Sequence, residues 1–482
     1  MVRLETRARF HQNRPMNQNE ALISRKPIPL DDPSQGILVW EHEGFSQTNY
    51  GAFSLCGPCD VEALDRALQE AQADFPNFHA NLVPCRKGLW TVWGWQRQPQ
   101  PIALEVRDFT SLPEAPADME AWIQAEMAPY VADVQDLGTT LPVRLLLYRF
   151  RGDRQMFVFL FHHVVIDGGG FYNFFAAALR IYHRLVTGRE PEWAGVAGMH
   201  AQAGAVQLVT PIPAGRMMRE MIAEWRKYPP WRVAQIASRP EAAPGRKIVR
   251  HIIEDRALQQ AFRERARRDG GSVTDLFLAA SKKALDEFNG ARGADHDIML
   301  HGLAVNQRVR RPQEETAGQG NPMGGIGIGS NEAERRDPAA LLRWVIAERK
   351  RKMAAGHDYW LSWFGRQLVA ASRVLPLRAR PRVLRPVFDI RISYFVTNLG
   401  VVLPRMENGR PTGETAIREA GRMELVDVHN SVGATEKNAG ALILRTFLNR
   451  LYLVFPFGRH KVADADAEVF ARLVVEHAHR YL

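Results

Sequence analysis

Apolar and polar positions alternate along this chain with two different periods. Stretches with a period of two read as strands, and stretches with a period near 3.6 read as helices. Residues 36–40 and 50–55 read as strands. Residues 60–74 read as an amphipathic helix whose apolar face carries Leu64, Ala67, Leu68 and Ala71. Residues 89–95 give an aromatic-rich strand pattern and residues 119–127 a helical one. Two apolar runs, 143–150 and 156–161, flank Arg151-Gly152-Asp153-Arg154, a hairpin signal. Residues 171–185 then read as a helix, with Gly188 just past its end.

Composition shifts after Pro191. The stretch through Pro244 is rich in Pro, Gly and Ala, with one helical pattern near 217–225. A second run of elements begins near Lys247. Residues 248–253, 298–305, 392–397, 441–446 and 450–455 read as strands. Residues 257–268, 273–288, 338–353 and 465–481 read as helices, with Ser272 or Thr274 capping the second. Both halves mix strands and helices, so the fold class is α/β (α+β), and 482 residues suggest more than one domain. A hydrophobic share of 46% with 24% charged residues excludes disordered, collagen-like and disulfide-dense classes. The polar N-terminus, the lack of any apolar run of membrane-spanning length and the three cysteines set the expectation of a cytoplasmic protein.

The chemistry concentrates in Phe159-Leu160-Phe161-His162-His163-Val164-Val165-Ile166-Asp167-Gly168-Gly169-Gly170. An apolar strand ends in two histidines, and an Asp and three glycines open the next helix. Strand alternation points His162 and His163 to opposite faces, so only one can serve a given cleft. A histidine held at a strand end is a good general base. Asp167 can orient an imidazole, anchor the loop through an arginine, or simply cap the helix. The glycines allow close approach by a substrate.

His162-His163-x-x-x-Asp167-Gly168 resembles the HHxxxDG motif of the condensation-domain superfamily, which includes nonribosomal peptide synthetase condensation domains and chloramphenicol acetyltransferase. Further segments agree in order: Leu141 to Leu145, Gly271 to Ala280, Val305-Asn306-Gln307-Arg308 followed by Gly320-Asn321, and Thr397-Asn398-Leu399-Gly400. The resemblance implies two chloramphenicol-acetyltransferase-like αβα sandwich lobes in a V around a central tunnel. Residues 1–34 are then an arm, 35–190 the N-terminal lobe, 191–246 a linker and 247–482 the C-terminal lobe. It further implies acyl transfer from a phosphopantetheine thioester, on an acyl or peptidyl carrier protein or on CoA, to a small-molecule amine or alcohol. No metal and no tightly bound cofactor is expected.

Carried over by position, His163 is the base toward, or the positioner of, the acceptor, and His162 is the structural histidine. Asp167 is structural and pairs with the arginine that Arg308 matches; Gly168 belongs to the motif. Thr397 keeps a hydroxyl where the family's loop serine stands. It offers an oxyanion donor or only a strand-end hydrogen bond. Asn398 and Asn321 are the other oxyanion or substrate candidates. The DFGWG motif of plant-type acyltransferases is absent, as are the PLWG and SNVPGP signatures of wax-ester and diacylglycerol acyltransferases. A lipid-directed, CoA-dependent O-acyltransferase at a membrane surface stays open as an alternative, and so does a non-catalytic relative that only binds carrier proteins. A free-standing, monomeric enzyme of secondary metabolism is expected.

Two features test the edges of this reading. The formal net charge is +10, and the stretch 343–391 holds twelve Lys or Arg against three Asp or Glu. Arg349-Lys350-Arg351-Lys352 is its densest part and the expected docking site for an anionic donor. The same stretch contains Tyr359, Trp360, Trp363 and Phe364, which admits peripheral membrane contact. No nucleic-acid module accompanies the charge. Cys56-Gly57-Pro58-Cys59 has a redox spelling, but Asp60 is the better N-cap of the following helix, which leaves the cysteines in the turn. Gly324-Gly325-Ile326-Gly327-Ile328-Gly329 lacks dinucleotide-loop spacing, because Ser330 occupies the last position.

Overall fold

The computed structural model describes residues 26–41, 45–111, 114–195, 212–240, 245–306, 323–407, 410–433 and 435–482. Two six-stranded sheets organise the molecule. The first runs, from edge to edge, Glu419–Ala420, Met423–Ser431, Thr48–Cys56, Arg154–His162, Val143–Phe150 and Leu104–Asp108. All its pairings are antiparallel except Leu104–Asp108 with Val143–Phe150. The second runs Met323–Ser330, Met299–Asn306, Tyr394–Val401, Ala441–Phe447, Arg450–Gly458 and Arg246–Ile253. There Tyr394–Val401 lies parallel to both its neighbours.

Each sheet carries helices on its face. Helix Gly168–Thr187 packs with helix Val61–Ala71 in the first unit, and its Phe175 stacks on Phe53 and Phe157 of the sheet. The close fit explains Gly51: a β-carbon there would lie 2.3 Å from the Phe171 ring. In the second unit helix Val273–Gly290 packs between Asp464–His479 and Pro338–Ala354.

The two units are not sequential blocks. Met423–Ser431 comes from the C-terminal half, yet it pairs with Thr48–Cys56 inside the first sheet, with Ser431 opposite Tyr50. The expected C-terminal lobe therefore lends a strand to its neighbour. The alternation of buried and exposed residues along Met423–Leu425 fits a half-buried strand, but it is too short and too polar to stand out in sequence. The same core cluster joins Tyr50 and Phe53 to Phe447, Tyr452 and Val454 of the second sheet, so apolar packing crosses between the units.

Residues 36–40 are helical rather than a strand. Asp31 caps helix Asp32–Trp40 by accepting from the Ser34 N–H at 2.6 Å, and Pro33 supplies the first turn. A run of four apolar residues carried no period, and the start signal decided it. This helix packs on His357–Ala371 and Arg380–Phe388, where Val39 joins Val369 and Leu384. The expected arm is folded in its described part: Ile28–Pro29 pairs with Trp90–Arg97, and Leu30 is buried. The glycine-rich stretch is strand Met323–Ser330, paired antiparallel with Met299–Asn306.

Candidate active site

The motif strand Arg154–His162 is buried over all but its first residue. At its end the neighbouring segments clamp both histidines by their backbones: the His162 N–H donates to the Pro142 carbonyl (2.7 Å) and the His163 N–H to that of Gln47 (2.8 Å). The side chains then diverge. His162 is fully buried, and its Nδ1 accepts from the Val164 N–H at 3.1 Å. Its proton therefore sits on Nε2, which donates to the Glu41 carboxylate at 2.8 Å. With both nitrogens occupied, His162 has no lone pair left for a substrate. His163 is only half-buried, and its ring stands edge-on to Phe161 at 6.5 Å. Glu41 was missed in sequence because it sits at the end of the helix misread as a strand.

The turn after the histidines is closed by Val165 N–H donating to the His162 carbonyl, and Val164, Val165 and Ile166 anchor it in the core. Asp167 is buried at the N-cap of Gly168–Thr187, where its Oδ1 accepts from the Gly170 N–H at 2.8 Å. Its position fixes the distance between the histidines and the helix. Arg308 and Asn321 lie outside the described residues.

The second unit reaches the motif at Gly168. A β-carbon there would lie 3.3 Å from the Leu399 side chain, so strand Tyr394–Val401 comes down directly on the glycine. This brings the expected Thr397-Asn398 segment to the motif. Asn398 is tied on both sides: its Nδ2 donates to Thr274 Oγ1 (2.8 Å) and its Oδ1 accepts from the Gly400 N–H (2.7 Å). That pins the irregular pairing between Asn398 and Val401, with Gly400 at φ +71°. Both ends of the Asn398 amide are thus engaged in holding its own loop. Thr397 is half-buried opposite Ile443, and among the described residues its hydroxyl makes no hydrogen bond.

The basic quartet is not the docking face expected of it. Arg349 forks onto the buried Asp275 carboxylate, with Nη2 at 3.0 Å. Lys352 is buried between Glu224 and the Gly327 carbonyl. Arg351 pairs with Glu348 and Glu220. The carboxylates come partly from helix Ala214–Lys227, in the segment expected to be a linker, whose Glu220 and Glu224 lie over the basic helix. Lys350 alone of the four is exposed with no ion pair among the described residues.

Behind the motif sheet lies a polar cluster that the sequence did not reveal. Arg250 donates to Glu120 (2.9 Å) and to both oxygens of Asp427, and His429 bridges Glu120 (2.7 Å) and Ser54 (3.0 Å). Burial works to raise the Glu120 pKa, but the hydrogen bond and charge of His429 together with the Arg250 guanidinium hold it down at about 2. The cluster joins helix Met119–Ala132, the lent strand and strand Arg246–Ile253. Of the two cysteines expected in a turn, Cys56 instead ends strand Thr48–Cys56, and Cys59 lies in the turn before the capping Asp60. Asp60 accepts from the Ala63 N–H at 2.9 Å, and burial, eased in part by Tyr182, pushes the Cys59 thiol up to about 11.

Comparison with solved structures gives the architecture its counterpart. The starter condensation domain of rhizomide synthetase, crystallised with C8-CoA and Leu-SNAC, superposes with a TM-score of 0.66 over 96% of this chain and 96% of its own, at 13% identity. The cyclization-docking bidomain of the EpoB synthetase from Sorangium cellulosum gives 0.65 over 96% of this chain and 86% of its own, at 14% identity. This chain has the condensation-domain fold. Trichothecene 15-O-acetyltransferase from Fusarium sporotrichioides shares that fold at a TM-score of 0.64 over 95% of this chain and 94% of its own, with 11% identity. In sequence, the chain is 27% identical over 310 residues to CymA of Salinispora arenicola, described as a probable non-canonical nonribosomal peptide synthetase. The match covers 60% of this chain and 4% of that protein. No protein-family model matches the chain. No helix among the described residues is long and apolar enough to cross a membrane.

Proposed function

We propose that the chain is a condensation-type acyltransferase, moving an acyl group from a phosphopantetheine thioester to an amine or hydroxyl. One observation carries the reading: the two motif histidines are divided, His162 saturated at both nitrogens and His163 half-buried, five residues before the Gly168 on which the second unit packs. In the proposed step His163 accepts the acceptor's proton as its N or O attacks the thioester carbonyl. The Thr397 hydroxyl donates to the oxyanion. Collapse of the tetrahedral adduct breaks the C–S bond, and the protonated His163 returns its proton to the departing thiolate. The donor is a carrier protein or CoA, and the product an amide or ester of secondary metabolism. Asp167 holds the motif turn, with Arg308 as its proposed ion-pair partner.

The test is intact-mass detection of product, offering acyl-carrier and acyl-CoA donors in parallel to a panel of amines and alcohols. Transfer with at least one pair, lost in His163→Ala, supports the reading. Binding of donors without transfer in any pair would leave the non-catalytic carrier-binding alternative standing.

A further inference from the structure

Arg246 and Arg250 lie four residues apart on strand Arg246–Ile253, on the same face, yet their surroundings differ. Arg250 meets two carboxylates. Arg246 meets none among the described residues. Its Nη1 donates to Asn49 Oδ1 (3.2 Å) and Ser431 Oγ (3.1 Å), and its Nη2 to the carbonyls of Ser46 (2.8 Å) and Val131 (3.5 Å). All four acceptors are neutral. A half-buried guanidinium without a counterion is costly, and part of that cost is recovered when an anion arrives.

The group lines a cavity of about 320 Å³ between helix Met119–Ala132, strand Thr48–Cys56 and strand Arg246–Ile253. That is room for a small organic molecule. Tyr50 lines the same cavity; it is 1% exposed and its hydroxyl has no hydrogen-bond partner among the described residues. Burial raises the Tyr50 pKa well above its ordinary value, so the hydroxyl keeps its proton and can only gain by donating it. Burial pulls Arg246 down to about 10, which leaves it charged at neutral pH. A second cation in the wall, Arg459, is already paired with Asp464. The cavity adjoins the motif: Ser46 and Asn49, which hold the guanidinium, flank Gln47 and Thr48, which pair with His163 and His162.

We propose that Arg246 and Tyr50 form a recognition site for the carboxylate of a small organic acid, bound between the two units beside the motif strand. Calling that acid the acceptor or acyl substrate rests on the acyl-transfer reading; the binding does not. The test is titration calorimetry with free α-amino acids and C4–C8 carboxylic acids, each beside its primary amide, and with inorganic phosphate and 4′-phosphopantetheine. At least one acid should bind on the order of 10- to 100-fold more tightly than its amide. Arg246→Gln and Tyr50→Phe should each cut that preference severalfold or more, and His163→Ala should keep it. Should Arg246→Gln fail to fold, Tyr50→Phe and Arg246→Lys carry the test. No acid preference in the wild type, a preference unchanged in the variants, or tighter binding of the two phosphates than of any acid would overturn the proposal. Acid binding without transfer from any donor would sink the acyl-transfer reading and leave this site standing.

Discussion

The sharpest physical prediction concerns Arg250. Its guanidinium holds Glu120 and Asp427 together in a site where Arg250 and His429 have side-chain exposures of 8% and 1%. Glu120 has a folded pKa near 2 against an ordinary 4.5. At 1.36 kcal/mol per pH unit, that gap corresponds to about 3 kcal/mol. Because the folded value is depressed, this contribution is complete above pH 4.5 and fades as pH falls toward 2. Arg250→Met removes the cation and strands two partly buried carboxylates, which costs about 3 kcal/mol at neutral pH. In the variant both carboxyls protonate at higher pH than in the parent, so the deficit should shrink steadily between pH 6 and pH 3. Urea unfolding of both proteins at half-unit pH steps reads this directly. A deficit under about 1 kcal/mol, or one that does not change with pH, would refute the ledger.

The histidines should separate by readout. His163→Ala should lose transfer with its unfolding midpoint unchanged, whereas His162→Ala should lose roughly 2–3 kcal/mol by leaving Glu41 buried without its donor; equal midpoints for the two would contradict the division of roles. Asp167→Ala removes the cap of a 20-residue helix and should cost about 1 kcal/mol of stability beside its loss of activity, read by thermal denaturation. Lys352→Met should cost roughly 3 kcal/mol and Lys350→Met less than about 0.5, since only the first is buried against a carboxylate. Cys59 alkylation should still be accelerating between pH 9 and pH 10; a plateau by pH 8 would show an activated thiol.

What the sequence disclosed was whatever is local. The motif strand, its turn and the helix after it are contiguous, and each carries its own signal: apolar alternation, a capping Asp, glycines where the second unit approaches. The Asp60 cap was legible for the same reason. Glu41, His429 and Asp427 were not, because their roles depend on partners 121, 309 and 177 positions away. The basic quartet shows the converse error. A run of four cations looks like a surface when read alone, and only the placement of Asp275, Glu220 and Glu224 against it makes three of the four structural. Residues 36–40 failed on pattern: four apolar residues in a row suit a buried strand or a short helix equally.

The lent strand has a mechanical consequence for the site. Met423–Ser431 lies in the first sheet beside Thr48–Cys56, which pairs on its other side with the motif strand. Strand Tyr394–Val401 belongs to the second sheet and touches Gly168. Near the histidines the units thus meet by a backbone ladder and by the Leu399 side chain, beside the apolar cluster and the Arg246 hydrogen bonds. The ladder is the stiff connection, since separating it exposes seven pairs of backbone partners. The Leu399 contact has no such ladder. Relative movement of the units should then pivot on the lent strand and open at Gly168, moving Thr397 away from the motif while leaving His162 and His163 clamped. If Thr397 is the oxyanion donor proposed above, opening switches off stabilisation of the adduct without disturbing the base.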